Sequence, residues 1–196
     1  MMNRPAFSTK FQTLAVYLTI IGIVLLDQLT KYIIKSNMNL YDSFQVLGNF
    51  FRITYIENAG MAFGLQMQNK ILFTILSVVA AAIVLIYLIR LPKERFIFRF
   101  SLALIMGGAI GNLIDRLAVG RVVDFFDVEF FDISVPAFKF LFIDFPGYSM
   151  TRWPVFNVAD MAVSCGMIII FAYIIIKGDP DKAPVGETTQ TNPNAG

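Results

Sequence analysis

Asp124 and Asp160 are the residues whose types and surroundings suit hydrolytic chemistry. Asp124 follows two valines and precedes two phenylalanines in VVDFF. Apolar neighbours raise a carboxyl pKa, because burial penalises the charged form. Asp160 closes FNVAD, just inside the start of an apolar run. Two carboxylates sharing one site cannot both ionise readily, so one keeps a proton while the other acts as base. Such a pair activates water for attack on a peptide carbonyl without His, Ser, Cys or metal. The competing reading of Asp160 is structural. Asn157-x-x-Asp160 has the spacing of a helix N-cap with an acid at the third helical position. Spacing alone leaves both readings open.

The inventory narrows the alternatives. Histidine is absent, which removes a Ser-His-Asp triad, a Cys-His pair and every His-ligated metal site. Cys165 is the only cysteine, so no intramolecular disulfide and no CxxC motif exist. It sits in MAVSCGMIII and reads as a small buried hydrophobe. No metal and no cofactor are expected.

Other polar groups stand where polarity is costly. Asp27 and Lys31 lie four apart in an otherwise apolar run. They read either as an interfacial ion pair or as groups facing a site, since an acid at membrane depth costs roughly 2.5–3.5 kcal/mol. Glu57, Asn58 and Gly60 fall in YIENAGMAFG, which reads as a turn or as a loop offering the Asn58 amide to a ligand. Gly107 and Gly111 form a close-packing motif. Gly108, Asn112 and Asp115 share one helix face, spaced four and then three apart. That face must meet protein or water. Asp115 beside Arg116 reads as a surface ion pair. Asp127, Glu129, Asp132 and Asp144, interleaved with aromatics, read as solvated edges of a small sheet. Arg121 and Arg152 read as lipid-phosphate ligands or as snorkelling side chains.

The elements that must position these groups are mostly membrane spans. The chain has 196 residues, of which 57% are hydrophobic and 15% charged. Soluble domains carry nearer about 25% charge, so this is an integral membrane protein, mainly α-helical. Its net charge is only +2 with scattered bases, and no nucleic-acid partner is expected. Four apolar runs, at 14–34, 71–89, 96–114 and 155–176, are each long enough to span a bilayer core. Residues 36–70 are too polar to span and too apolar to float, with strand-like runs around Phe51–Ile56 broken near Asn58–Gly60. Residues 115–154 form a second non-spanning segment, rich in Phe and Asp. Residues 1–177 read as one membrane domain and 178–196 as a disordered cytoplasmic tail. Four spans put both termini on one side. The short loop containing Arg90, Lys93, Arg95 and Arg99 makes that side cytoplasmic by the positive-inside rule. Both large segments and the unusual acids then face outward.

Five pieces, in order, carry a resemblance: DQLTK at Asp27–Lys31, NAGMAFG at Asn58–Gly64, GGAIGNLIDR at Gly107–Arg116, VVDF at Val122–Phe125 and FNVAD at Phe156–Asp160. With four spans around them, the sequence resembles the bacterial lipoprotein signal peptidase family (signal peptidase II). The resemblance implies an aspartyl endopeptidase of the bacterial inner membrane, active toward the periplasmic face. It would remove signal peptides from prolipoproteins, cutting before a cysteine that carries a diacylglyceryl group. It implies that Asp124 and Asp160 form the catalytic dyad, and that Asp27, Asn58, Gly108, Asn112, Arg116 and Asn157 hold substrate or support the dyad. Lys31 and Gly60 are candidates in the same motifs. It also implies a periplasmic β-cradle from the first outer segment and a short helix or lid from the second. The expected partners are lipid-modified prolipoproteins and membrane lipids, and the expected state is a monomer. One departure stands out. EFFDISVPAFKFLFIDFPGYSMTRW lengthens the stretch between Asp124 and Phe156 beyond the family pattern. The rival classes are a small transporter, which predicts acids near the midplane, and a structural subunit, in which Asp124→Asn is silent.

Overall fold

The protein is described by a computed structural model covering residues 9–59, 61–62, 65–66, 70–92, 95–140, 143–145 and 147–177. Gly60 and the tail 178–196 lie outside the described residues.

Four helices are long and apolar enough to cross a membrane. They are α1 (Thr9–Asn37), α2 (Lys70–Arg90), α3 (Phe96–Val119) and α4 (Val158–Lys177). The shortest has 20 residues and spans about 30 Å. The central helix is α3, packed against α1, α2 and α4. It is mostly buried, whereas the other three present exposed apolar faces. Exposed Leu25, Ile86, Ile168 and Phe171 on those faces have no place in water, and lipid is their solvent.

Small residues let α3 approach its neighbours. A Cβ on Gly107 would come within 2.8 Å of the Ile23 Cβ of α1. A Cβ on Gly108 would collide with the Ala159 carbonyl oxygen of α4. The glycine spacing therefore serves two interfaces, one on each side of α3. The run 96–114 underestimates this helix, which continues through Asp115 and Arg116 to Val119. It stops at Gly120, whose φ of 72° is left-handed and whose N–H donates to the Arg116 carbonyl at 3.0 Å. A left-handed residue ends a helix cheaply only when it lacks a Cβ.

The chain turns there into β5 (Val122–Val135). With β1 (Ser43–Leu47), β2 (Phe51–Asn58) and β8 (Tyr148–Arg152) it forms a four-stranded sheet in the order β1-β2-β5-β8. The pairings are antiparallel, with Ile56 opposite Asp124 and Asn58 opposite Val122. Two short antiparallel strand pairs are also present among the described residues: β3 (Met61–Ala62) with β4 (Leu65–Gln66), and β6 (Phe138–Phe140) with β7 (Ile143–Phe145). No short helix occurs among the described residues between Gly120 and Asn157. The helix implied by resemblance is replaced by strands, because this stretch is rich in β-branched and aromatic residues.

Tyr55, Val123 and Phe125 form a small core under the sheet, packed on Ile34, Met38 and Val158. One further link joins sheet to bundle. The Phe125 and Phe126 N–H groups donate to the Phe156 carbonyl at 3.1 and 2.8 Å, and the Phe156 N–H returns to Phe126 at 3.1 Å. This bridge fastens β5 to the residues that open α4.

Candidate active site

Residue by residue, that bridge brings two distant acids together. Asp124 lies two residues before Phe126 on β5, and Asp160 four residues after Phe156 on α4. Between them stands Asn157, fully buried. Its side-chain nitrogen donates to Asp124 Oδ1 at 2.6 Å, and its backbone N–H donates to Asp160 Oδ2 at 3.2 Å. Its side-chain oxygen accepts from the Asp160 N–H at 3.0 Å. The N-cap reading is therefore correct as local geometry, with the reciprocal bonds of a capping box. The cap does not compete with the paired-acid reading, because the spare amide nitrogen ties the cap to Asp124.

Each carboxylate has a second donor. Asn58 Nδ2 reaches Asp124 Oδ2 at 3.1 Å from β2. Asn112 Nδ2 reaches Asp160 Oδ1 at 2.7 Å from α3. Asp124 is only 2% exposed, and burial pushes its carboxyl up to about 7, with the nearby Asp160 charge adding to the rise. The Asn58 and Asn157 amides and the Lys31 charge oppose that rise. Asp160 is partly exposed and lines a groove of about 340 Å³ with Trp153, Phe156, Met161, Ser164 and Cys165. The pair is therefore open on the Asp160 side.

Behind the acids lies a polar cluster inside the bundle. Lys31 Nζ contacts Asp27 Oδ2 at 2.8 Å, Asp115 Oδ2 at 2.9 Å and Asn112 Oδ1 at 2.9 Å. Lys31 is 2% exposed and Asp27 0%. The interfacial ion-pair reading of Asp27 and Lys31 thus gives way to a buried network. Asp115 pairs with Lys31 rather than forming a surface pair with Arg116. The ammonium fixes the sense of the Asn112 amide. With its oxygen turned to Lys31, its nitrogen must face Asp160. Asp27 Oδ1 accepts the Ala159 N–H at 3.0 Å, satisfying a first-turn donor of α4 that has no partner within the helix. Asp115 Oδ2 accepts the Val123 N–H at 3.2 Å, fixing the residue before Asp124. These acids position the elements that carry Asp124 and Asp160.

Arg116 lies within the combined field of Asp160, Asp124 and Asp115. Gly108 is the close-approach point between α3 and α4. Gln28 was not singled out from sequence, yet its amide reaches Asp27, the Gly111 carbonyl and Asp115, each at 3.1 Å. Its place beside Asp27 in DQLTK was the available signal.

Three expectations require correction. Asp127 is buried rather than a solvated edge. Arg152 does not face lipid phosphate: its Nε donates to Asp127 Oδ1 at 2.5 Å, and Thr54 donates to Asp127 Oδ2 at 2.8 Å. Cys165 is exposed. In a span, apolar context marks the lipid face as readily as the core.

The sequence matches the family described as Signal peptidase (SPase) II over residues 19–176. The chain belongs to the signal peptidase II family. It is 45% identical over 157 residues to the lipoprotein signal peptidase of Caldanaerobacter subterraneus, covering 80% of this chain and 92% of that protein. It is 39% identical over 163 residues to that of Moorella thermoacetica, covering 83% and 94%. Two bacterial membrane enzymes solved by the in meso method, at 2.3 and 1.9 Å resolution, share its fold. Their TM-scores are 0.68 and 0.65 at 27% and 28% identity, covering 95% and 90% of this chain and 100% and 99% of theirs. As a signal peptidase II, the protein is a protease that crosses the membrane several times. The family that the sequence resembles is thereby shown over residues 19–176.

Proposed function

We propose that this protein removes the signal peptide from diacylglyceryl-modified prolipoproteins, cutting before the lipidated cysteine, with Asp124 and Asp160 as its catalytic pair. The observation that carries the proposal is the doubly engaged Asn157, which holds one carboxylate with its side chain and the other with its backbone. The lipoprotein signal peptidase names of the relatives support the substrate class.

In this mechanism the pair shares one proton below about pH 7, the value to which burial lifts Asp124, and titrates as a unit. A water lies between the carboxylates, and the scissile peptide approaches from the Asp160 side. The ionised carboxylate takes a proton from the water as its oxygen attacks the carbonyl carbon. The protonated carboxyl donates a hydrogen bond to the developing oxyanion. The tetrahedral intermediate then collapses: the C–N bond breaks and a carboxyl proton passes to the leaving amine. Asn58, Asn112 and Asn157 keep the carboxylates oriented throughout, so little reorganisation accompanies the charge shift. No group of a second chain is required, and the enzyme works as a monomer. It sits in the bacterial inner membrane, with cytoplasmic termini and the acids toward the periplasm, in keeping with the basic 90–99 loop.

The test is direct. Purified protein in detergent is incubated with a lipid-modified prolipoprotein, and the released signal peptide is measured. Asp124→Asn and Asp160→Asn should each abolish release while the protein still purifies folded. Full activity in either variant overturns the dyad.

A further inference from the structure

The lengthened stretch after Asp124 forms an aromatic hairpin that the peptidase reading leaves without a role. The first half of β5 is buried, but every residue from Glu129 to Val135 is exposed. Phe131 is 80% exposed, and Ile133 and Val135 follow it along the strand. A bulge between Glu129 and Ile133 breaks the pairing with β8. Adjacent Phe130 and Phe131 thereby bring their rings to 5.2 Å, edge to face. Phe130 meets Trp153 at 5.2 Å in the same manner. In water such a surface would be a liability, since large apolar patches seek cover.

What covers it follows from where the aromatic series leads. Trp153 lines the groove shared with Asp160, Met161, Ser164 and Cys165 on α4. That is the exposed side of a spanning helix, whose environment is lipid. The apolar surface is thus continuous from α4 through Trp153 and Phe130 to Phe131. Of the charges at the root, Arg152 is turned to Asp127 and to the Asn49 carbonyl, 2.9 Å away, and Asp160 is held by Asn112 and the Asn157 N–H. Between Glu129 and Arg152 the sequence has three acids and two bases, so attraction to anionic headgroups cannot be the drive. Aromatic side chains with a polar backbone nearby favour the bilayer interface.

We infer that the distal β5–β8 hairpin docks on the bilayer that the four helices cross, with Phe130, Phe131 and Trp153 inserted at its interface. The hairpin acts as a lateral brace: it extends the lipid-facing surface of α4 outward and fixes the sheet that carries Asp124 at a set depth.

Trp153 is the only tryptophan, so the wild-type chain carries its own probe. The full-length protein is reconstituted in phosphatidylcholine vesicles brominated either near the headgroup or near the midplane, and emission is read. A second sample, Trp153→Phe with Phe131→Trp, places the probe on the hairpin, and thermal unfolding in detergent confirms that it is folded. Both probes should lose more emission to shallow bromine than to deep bromine, and little to aqueous iodide. The proposal is overturned if the position-131 probe is quenched by iodide and unaffected by bromolipid, which would place the hairpin in water. It is equally overturned if that probe is shielded from both, which would mean that protein covers it. Should the double variant fail to fold, the wild-type probe decides: iodide quenching without shallow-bromine quenching of Trp153 refutes docking at its root. None of these readouts depends on cleavage, so they stand apart from the peptidase assay.

Discussion

At Asn157 the side-chain oxygen caps α4 while the side-chain nitrogen donates to Asp124 at 2.6 Å. Serine is as good an N-cap as asparagine but has no second arm. Asn157→Ser should therefore keep the cap but withdraw the amide from Asp124 and the Val123 carbonyl, lowering stability in detergent by about 1–3 kcal/mol. It should lower cleavage roughly 10- to 100-fold, the worth of a hydrogen bond to a charged group. Unchanged cleavage in the folded variant would reduce Asn157 to a structural group. A second prediction concerns the proton. The Asp124 carboxyl rises from its ordinary 3.8 to about 7, so the folded state binds the proton more tightly than the unfolded state does. The resulting stabilisation is complete below the ordinary carboxyl range and is lost as pH rises through about 7. Cleavage should fall over the same upper range as the shared proton leaves. Asp124→Asn should flatten the stability profile between about pH 4 and 7, the window bracketed by the two values; an unchanged slope in that variant would contradict the assignment. At this scale the sequence was partly legible. Asp124, Asp160 and the Asn157 spacing could be read because their environments are local. The Arg152–Asp127 pair could not, since its partners lie 25 residues apart and only the β5–β8 register brings them together.

The elements that deliver these residues depend on close helix contacts, and the glycines differ sharply in what they touch. Gly108 faces the Ala159 backbone oxygen and, at 2.8 Å, Val163 Cγ2 of α4. Backbone cannot rotate out of the way as a flexible side chain can. Gly22 on α1 has nothing within 4 Å of where its Cβ would be. Gly108→Ala should push α3 from α4 and stretch the 2.7 Å Asn112–Asp160 bond. The expected overpacking cost is about 1–3 kcal/mol, with a loss of cleavage. Gly22→Ala should be neutral or stabilising by up to about 1 kcal/mol, because alanine is the better helix former. Parallel unfolding and cleavage measurements on the two variants test this, and equal effects would remove the contact argument. The periodicity of Gly107, Gly108 and Gly111 exposed the packing role in the sequence. Which neighbour each glycine meets was not legible, because that depends on the crossing of three helices. The strands of 122–152 were likewise only half visible: β-prone composition is local, but a fourteen-residue strand needs partners on either side, β2 for one half and β8 for the other.

At the scale of the molecule, Lys31 holds the assembly together. Its ammonium joins Asp27 of α1, which caps α4 through Ala159, to Asp115 of α3, which holds β5 through Val123. It also orients Asn112 toward Asp160. Three helices and the sheet thus meet at one buried charge, placed between two carboxylates in a low-dielectric interior. Removing the cation strands both acids, and breaking such a pair typically costs about 3–5 kcal/mol. Lys31→Met should therefore destabilise the folded protein in detergent by roughly that amount and abolish cleavage, although Lys31 lies behind the proposed catalytic pair. The decisive measurement is a double-mutant cycle with Asp115→Asn. Once the lysine is gone, neutralising Asp115 removes a stranded charge, so the second substitution should cost less than it does in the wild-type background or should restore stability. A coupling of roughly 0.5–3 kcal/mol is expected. Strict additivity would mean that the two residues support the fold independently, and that Asp124 and Asp160 are held by their three asparagines without the charge behind them.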